Sequence, residues 1–478
     1  MEQHLISVDL GGSKVVAALG KRSQSNETIV VDIVEVTMDG YTSGEITNIK
    51  NVSSAIQNAV STLESRNSIR VDEVWVSASG KHLVCSDNSG FVYVGGAGGE
   101  ITEKDVEKLH ENMNNVQAPE SKVILSRIPQ NYKVDGYEVA GSPVGRFGHK
   151  LSTTFSFILG GKAPLERITD AFKRSNINTT HFIPGATASA AVVASQEEKE
   201  AGVLVIDLGA GTTDLCIIQG GVVRYAASIP IGASVINKDI QTIGVPSNMI
   251  EKLKTKCGYA TASAIPGDKL NNSIVINSHS QYQKNKTVAY RDLTAIIEAR
   301  MLDIIDMVNN EIKAAGYHNN LPNGIILTGG GSQLNGVDEL FKEHTGYEVR
   351  LGAAEINISQ ESKQECFAPS LATAIGLLHL GIAEADIEPC EFDGGEITDE
   401  EPAYTAVPHT PVAPKTEPVQ VKEEETHEPS FESYDDEDDD EHTEEEETPK
   451  RPKKPRRNIF GKINEWFFGG NVIDDDEM

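Results

Sequence analysis

Hydrophobic residues in this chain come in short aliphatic runs broken by glycine and carboxylate. Residues 203–206 (VLVI) are long enough for one buried strand, and Asp207 ends it. Gly209, Ala210 and Gly211 follow, then Thr212, Thr213 and Asp214, and residues 215–218 (LCII) resume the run. Two strands joined by so glycine-rich a turn predict a hairpin whose backbone can approach a ligand without Cβ interference. The pattern opens the chain as well: in residues 5–19, Asp9, Leu10 and Gly11 repeat Asp207, Leu208 and Gly209, and Gly12, Ser13 and Lys14 complete the turn. A third element, residues 324–334, is a strand that runs into Gly329, Gly330, Gly331 and Ser332.

Between these hairpins the apolar period changes to that of a helix. Val52, Ile56, Ala59, Val60 and Leu63 share one face, as do Leu293, Ile297, Ile304, Ile305 and Val308 within 291–309. Residues 247–257 predict another helix, carrying Glu251 and Lys254 one turn apart. Residues 81–162 read differently: strand-like pieces at 81–85, 90–94, 123–128 and 152–158 surround a polar helix that starts at Thr102, with Asp105 as its early acid. This is a small α+β module inserted between core elements.

The duplicated hairpin carries the chemistry. Turn amides in both copies can donate to phosphate, and Asp9 and Asp207 are placed to hold a hydrated Mg²⁺. Three adjacent glycines at 329–331 allow backbone to lie flat against a base and ribose. Two related halves imply a cleft with a nucleotide clamped between them.

Composition changes the picture at the C-terminal end. The chain has 478 residues and a net charge of −30, but residues 384–450 hold 26 acidic residues against three lysines. That stretch, with eight prolines and little periodic apolar content, predicts a disordered linker. Its 67 residues span roughly 45 Å unperturbed. The acidity therefore belongs to a linker, and no nucleic-acid partner is expected. Residues 451–478 turn basic, and residues 458–468 (NIFGKINEWFF) can form a short amphipathic helix. Ile459, Phe460, Ile463, Trp466 and Phe467 fall in one arc of about 120°, with Lys462 on the opposite face and Arg456 and Arg457 in the basic run that leads into it, all three expected near lipid phosphates. A basic, aromatic-rich helix on a disordered tether predicts an interfacial membrane anchor; a helix docked on the protein's own body and a nuclear-type basic patch are the alternatives. No apolar run approaches the ~18–20 residues that span a bilayer. No signal segment is expected at the N-terminus, and five scattered cysteines fit a reducing cytoplasm.

The order of the three glycine motifs, the inserted module, residues 372–378 (ATAIGLL) and the C-terminal helix resemble the FtsA family of bacterial cell-division actin homologues, within the actin, DnaK-type chaperone and sugar kinase superfamily. The likeness covers about residues 4–383. It implies an α/β, actin-like two-lobed fold of duplicated ribonuclease-H-like domains with an inserted α+β subdomain. Residues 1–80 and 163–200 would form the first lobe core and 81–162 the insertion. Residues 201–225 and 311–361 would form the second lobe core, 226–310 its outer subdomain, 362–383 a closing helix, 384–450 the linker and 451–478 the anchor and tail. The resemblance implies ATP with Mg²⁺ as ligands and an ATP contact by Glu251 and Lys254 on the ribose and adenine side. It further implies self-assembly into filaments, attachment to anionic lipid at the cytoplasmic face of the division site, and tethering of FtsZ. Arg300 would lie near the partner-binding surface, and the inserted subdomain would meet other division proteins. Three positions depart from the family pattern: Gly12 replaces a usual Thr, Ile250 an Ala, and Ile183 a Glu that commonly positions water or metal. Without that carboxylate no catalytic residue is assigned, and at most a weak ATPase is expected. Two other readings stay open. Residues 9–14 also resemble the phosphate loop of repressor-type sugar kinases, although no sugar-activating Asn-Asp is found. The pilus assembly protein PilM shares the core and the inserted module.

Overall fold

A computed structural model describes residues 4–25, 27–95, 99–139, 141–276 and 285–385. The basic C-terminal segment, with Arg456, Arg457, Ile459, Phe460, Lys462, Ile463, Trp466 and Phe467, lies outside the described residues, as does the acidic stretch from residue 386.

Each aliphatic run becomes a strand, and the strands assemble twice into the same sheet. In the first, His4–Leu10 pairs antiparallel with Lys14–Arg22, which pairs antiparallel with Thr28–Thr37. On the other side His4–Leu10 pairs parallel with Glu73–Ala78, and that strand with Thr179–Pro184. In the second, Val203–Leu208, Thr213–Gln219 and Val222–Ile229 form the antiparallel meander, and Ile325–Thr328 and Val349–Leu351 add in parallel. Both sheets thus have five strands in equivalent order. Val203–Leu208 is buried at every position because both its faces are covered.

The covering is shared at the centre. Helices Gly185–Val193 and Ala372–Ala385 lie between the sheets: Ala190, Val193, Ile375 and Leu378 pack in one cluster with Val16 and Ala18 of the first sheet and Val205, Cys216 and Ile326 of the second. The helices cross closely because Gly376 has no side chain; a Cβ there would sit 1.9 Å from the Ala188 carbonyl oxygen. Gly376→Ala is therefore expected to destabilise the protein by about 2 kcal/mol despite alanine's better helix propensity, since the overlap is with backbone and neither helix can move without disturbing a sheet. Urea unfolding measures this, and an unchanged midpoint would contradict the packing described.

The outer faces carry separate layers. Helices Ile49–Asn67 and Lys162–Lys173 cover the first sheet through Ile56, Leu63, Ile168 and Phe172. Helix Tyr290–Ala314 and helix Val337–Thr345 cover the second through Ile304, Ile305, Leu340 and Phe341.

The inserted module is a four-stranded sheet in which Lys150–Gly161 pairs with both Val84–Tyr93 and Lys122–Val134, and Tyr137–Val139 adds at the edge. The pieces expected at 81–85 and 90–94 are one strand, since Ser86–Ser89 continue the ladder with polar side chains outward. Helix Glu103–Asn114 starts at Thr102, whose backbone N–H donates to the Asp105 carboxylate at 2.9 Å. Arg224 of the second lobe donates to Gln130 Oε1 at 2.8 Å and Asn131 Oδ1 at 2.9 Å, so the module rests on that lobe's edge strand.

Candidate functional site

The two hairpin turns meet where the sheets face each other. A Cβ on Gly12 would lie 2.7 Å from the Gly211 amide nitrogen, so the first turn has no room for a side chain at the contact. Beside this contact opens a cavity of about 560 Å³. Its walls include Asp9, Gly11, Gly12, Ser13 and Lys14 from the first turn, Asp207, Gly209 and Ala210 from the second, and Gly329, Gly330 and Gly331 from the third glycine motif. Ser234, Asn237, Glu251, Lys254 and Thr255 form the far side, and Ser370 and Thr373 the floor near the central helix.

Sequence-selected residues divide here. The amides of Gly12, Ser13 and Ala210 donate to no backbone acceptor among the described residues, which leaves them for an anion. Gly329 has φ +85° and ψ 171°, a conformation essentially confined to glycine. A Cβ on it would lie 2.2 Å from Asp207 Oδ1, so this turn seats against the carboxylate. The side chains of Thr212, Thr213 and Ser332 face elsewhere: Thr212 Oγ1 donates to Asp214 at 3.2 Å, Thr213 Oγ1 to the Ile231 carbonyl at 2.8 Å, and Ser332 Oγ to the Gly329 carbonyl at 2.8 Å. They hold turn shape and are not part of the cavity wall, as Gly211 is not. Lys14 lines the cavity with its ammonium on Glu35 at 2.5 Å. Glu251 and Lys254 form an ion pair of 2.9 Å on that wall. Arg300 stands outside the cavity, its guanidinium held by Asp239 at 2.7 Å and Asp303 at 2.9 Å.

Three carboxylates concentrate at the junction. Burial pushes Asp9 above the usual carboxylate range, against the Ser77 hydroxyl that donates to it at 2.7 Å. Burial, then the charge of Asp214, pushes Asp207 up to about 7, although the Thr373 hydroxyl donates to it. Burial also pushes Asp214 up to about 6, with Ser228 and Thr212 donating to it. Among the described residues no three His, Cys, Asp or Glu side chains converge tightly enough to ligate a metal directly. The cluster fits a hydrated divalent cation, held through its waters, because such an ion relieves like-charge repulsion without needing a full protein ligand set.

Several residues of this centre carried no legible signal. Ser77, Ser228 and Thr373 are isolated hydroxyls in strands or a helix, distant from the glycine motifs in sequence and joined to them only by the sheets. Asp214 sits in the second hairpin itself, but its side-chain direction depends on strand register. Helix Gly185–Val193 begins against it: a Cβ on Gly185 would lie 3.6 Å from Asp214 Oδ2. Ile183, just before that helix, is 5% exposed and packs on Ala188 and Leu377. His181 stacks on Trp75 at 4.6 Å and bonds Glu73, a structural role.

Duplicated five-stranded sheets closing on a cleft lined by glycine turns define the actin-like class. In the solved structures, the PilM-PilN type IV pilus biogenesis complex superposes with a TM-score of 0.55 at 14% identity, covering 80% of this chain and 99% of that one, a likeness of fold. A family model described as cell division protein FtsA matches residues 204–376, and one described as the SHS2 domain inserted in FtsA matches residues 80–159. The cell division protein FtsA of Neisseria meningitidis serogroup B is 29% identical over 381 residues, covering 79% of this chain and 90% of that protein. That of Escherichia coli K12 is 27% identical over 387 residues, with the same coverage. The chain belongs to the FtsA family of cell-division proteins.

Proposed function

We propose that this protein binds ATP with Mg²⁺ between its lobes, assembles into actin-like filaments on the cytoplasmic membrane, and tethers FtsZ filaments there through its C-terminal amphipathic helix. The observation that carries the nucleotide half is the cavity bounded by both hairpin turns, with unpaired amides on one side and an acidic cluster at its base. Asp9 and Asp207 would hold the cation's waters, and the cation would neutralise the phosphates. Glycines 11, 12 and 209 let the phosphate chain approach the turns. Lys14 would exchange Glu35 for a phosphate oxygen, a charge-for-charge swap that costs little at a partly exposed site. The ligand then acts by closing the lobes and favouring the assembly-competent state.

The membrane half rests on family membership and on the sequence of residues 451–478. One short helix binds weakly and reversibly, and a filament presenting many of them converts this into avidity. FtsZ, other division proteins meeting the inserted module, and further copies of the chain are the partners this reading names.

Calorimetry of the full chain tests the first claim: Mg²⁺-ATP is expected to bind, and intact folded protein that binds none would end it. Turnover is expected to be slow. Ile183 offers no carboxylate, and a positioned general base is typically worth about 10²–10⁴-fold. A steady-state rate near the ~10 s⁻¹ enzyme median would show that a hydrolytic residue has been missed, and stimulation by a sugar would favour the kinase reading.

A further inference from the structure

The inserted module is fastened to both lobes, and both fastenings lead to the acidic cluster. The chain enters the module from strand Glu73–Ala78 and leaves it through strand Lys150–Gly161 into helix Lys162–Lys173, so the module is covalently borne by the first lobe. On the way in, alternate side chains touch the cluster: the Ser77 hydroxyl donates to Asp9 and the Ser79 hydroxyl to Asp214. The Gly80 N–H then crosses to the second lobe and donates to Ser228 Oγ at 2.6 Å, and that hydroxyl donates on to Asp214. The link is packed backbone against backbone, since Gly80 has φ +115° and a Cβ on Gly44 would lie 2.1 Å from the Ser79 carbonyl oxygen.

The second fastening runs along Val222–Ile229, the strand that bears Ser228 and forms one edge of the second sheet. Gln130 of the module donates through Nε2 to the Val223 carbonyl at 3.0 Å, and its Oε1 accepts from Arg224 at 2.8 Å. A single strand of the second lobe therefore holds the module near one end and the Asp214 carboxylate near the other. The nucleotide cavity lies between the lobes that these bonds join, so the lobes cannot part without breaking the bonds or bending the module away from the first lobe.

We propose that the inserted module is a strap across the nucleotide cleft: its docking on strand Val222–Ile229 through Gln130 favours the closed lobes and raises the affinity for Mg²⁺-nucleotide, and bound nucleotide tightens the docking in return. The inference rests on the nucleotide reading of the cavity. Reciprocity follows because one closed state carries both sets of contacts, and whatever populates it for one serves the other. Gln130 and Arg224 act from outside, as neither lines the cavity.

Calorimetry of the full chain with Mg²⁺-ATP tests this. Gln130→Ala is expected to bind about fivefold more weakly than the wild-type chain, the effect of an ordinary hydrogen bond carried through to affinity. Arg224→Ala, which breaks the same contact from the other side, should fall about as far, and the double variant no farther. Hydrogen exchange of the wild-type chain supplies a readout that needs no variant: the Gly80 amide should exchange at least fivefold more slowly with saturating Mg²⁺-ATP than without it. Wild-type affinity in folded Gln130→Ala, losses that simply add in the double variant, or exchange at Gly80 that ignores bound nucleotide would each overturn the strap. Folded wild-type protein that binds no Mg²⁺-ATP would instead overturn the nucleotide reading, a distinct outcome.

Discussion

The Asp207→Asn variant is expected to unfold at a higher temperature than the parent chain and to lose its response to Mg²⁺-nucleotide. Asp207 is 8% exposed, faces Asp214, and is pushed up to about 7 from an ordinary 3.8. Between about pH 4 and 7 the folded chain therefore keeps a proton that the unfolded chain has released. Stability falls as pH rises through that window, and the full penalty is present above pH 7. An amide of the same shape carries no such penalty, so the gain should be on the order of 4 kcal/mol above pH 7 and should nearly vanish near pH 4. Thr373 can still donate to the amide oxygen, which keeps the central helix in place. The nucleotide arm runs the other way, because a neutral amide attracts a hydrated cation far less than a carboxylate. Thermal melts at pH 4, 6 and 8, with and without Mg²⁺-ATP, measure both arms. A variant less stable than the parent at pH 8, or one still stabilised by Mg²⁺-ATP, would contradict the role given to this carboxylate.

Removing residues 458–468 is expected to abolish sedimentation of the protein with anionic liposomes while leaving nucleotide affinity unchanged. In the proposed anchor, the apolar stripe of Ile459, Phe460, Ile463, Trp466 and Phe467 would supply the insertion. Nearby basic residues add about 1 kcal/mol each at an anionic surface. Trp466→Glu should have the same effect, because it places a charge at the headgroup boundary. Raising the salt should weaken binding only in part, since screening leaves the apolar contribution intact. The acidic stretch before the helix would be repelled by the same lipids and would hold the body away from them. If the deleted chain still sediments with liposomes, attachment lies elsewhere and the membrane half of the proposed function fails. If it unfolds, the helix belongs to the body.

The hairpins were legible because their signal is local. A strand ending in Asp, followed by glycines, reads the same wherever it stands, and the repetition at Asp9 and Asp207 implied two related sheets before any strand was paired. The capped helix at Thr102 and the helix bearing Glu251 and Lys254 were readable for the same reason, since caps and helical period span only a few residues.

What the tertiary structure decided is what those motifs meet. Thr373 reaches Asp207 across 166 positions of chain, and Ser77 reaches Asp9 across 68. A lone hydroxyl in an aliphatic context carries no pattern that announces such a partner. The side chains of Thr212, Thr213 and Ser332 read as ligand-facing because their neighbours are glycines, yet strand register and turn curvature direct them into the protein. Sequence by itself therefore determined the elements and their duplication, because backbone propensity and periodicity act over a few residues. Only the tertiary structure decided which hydroxyls tune the acidic cluster and which side chains face the cavity, because these depend on sheets and helices brought together from opposite ends of the chain.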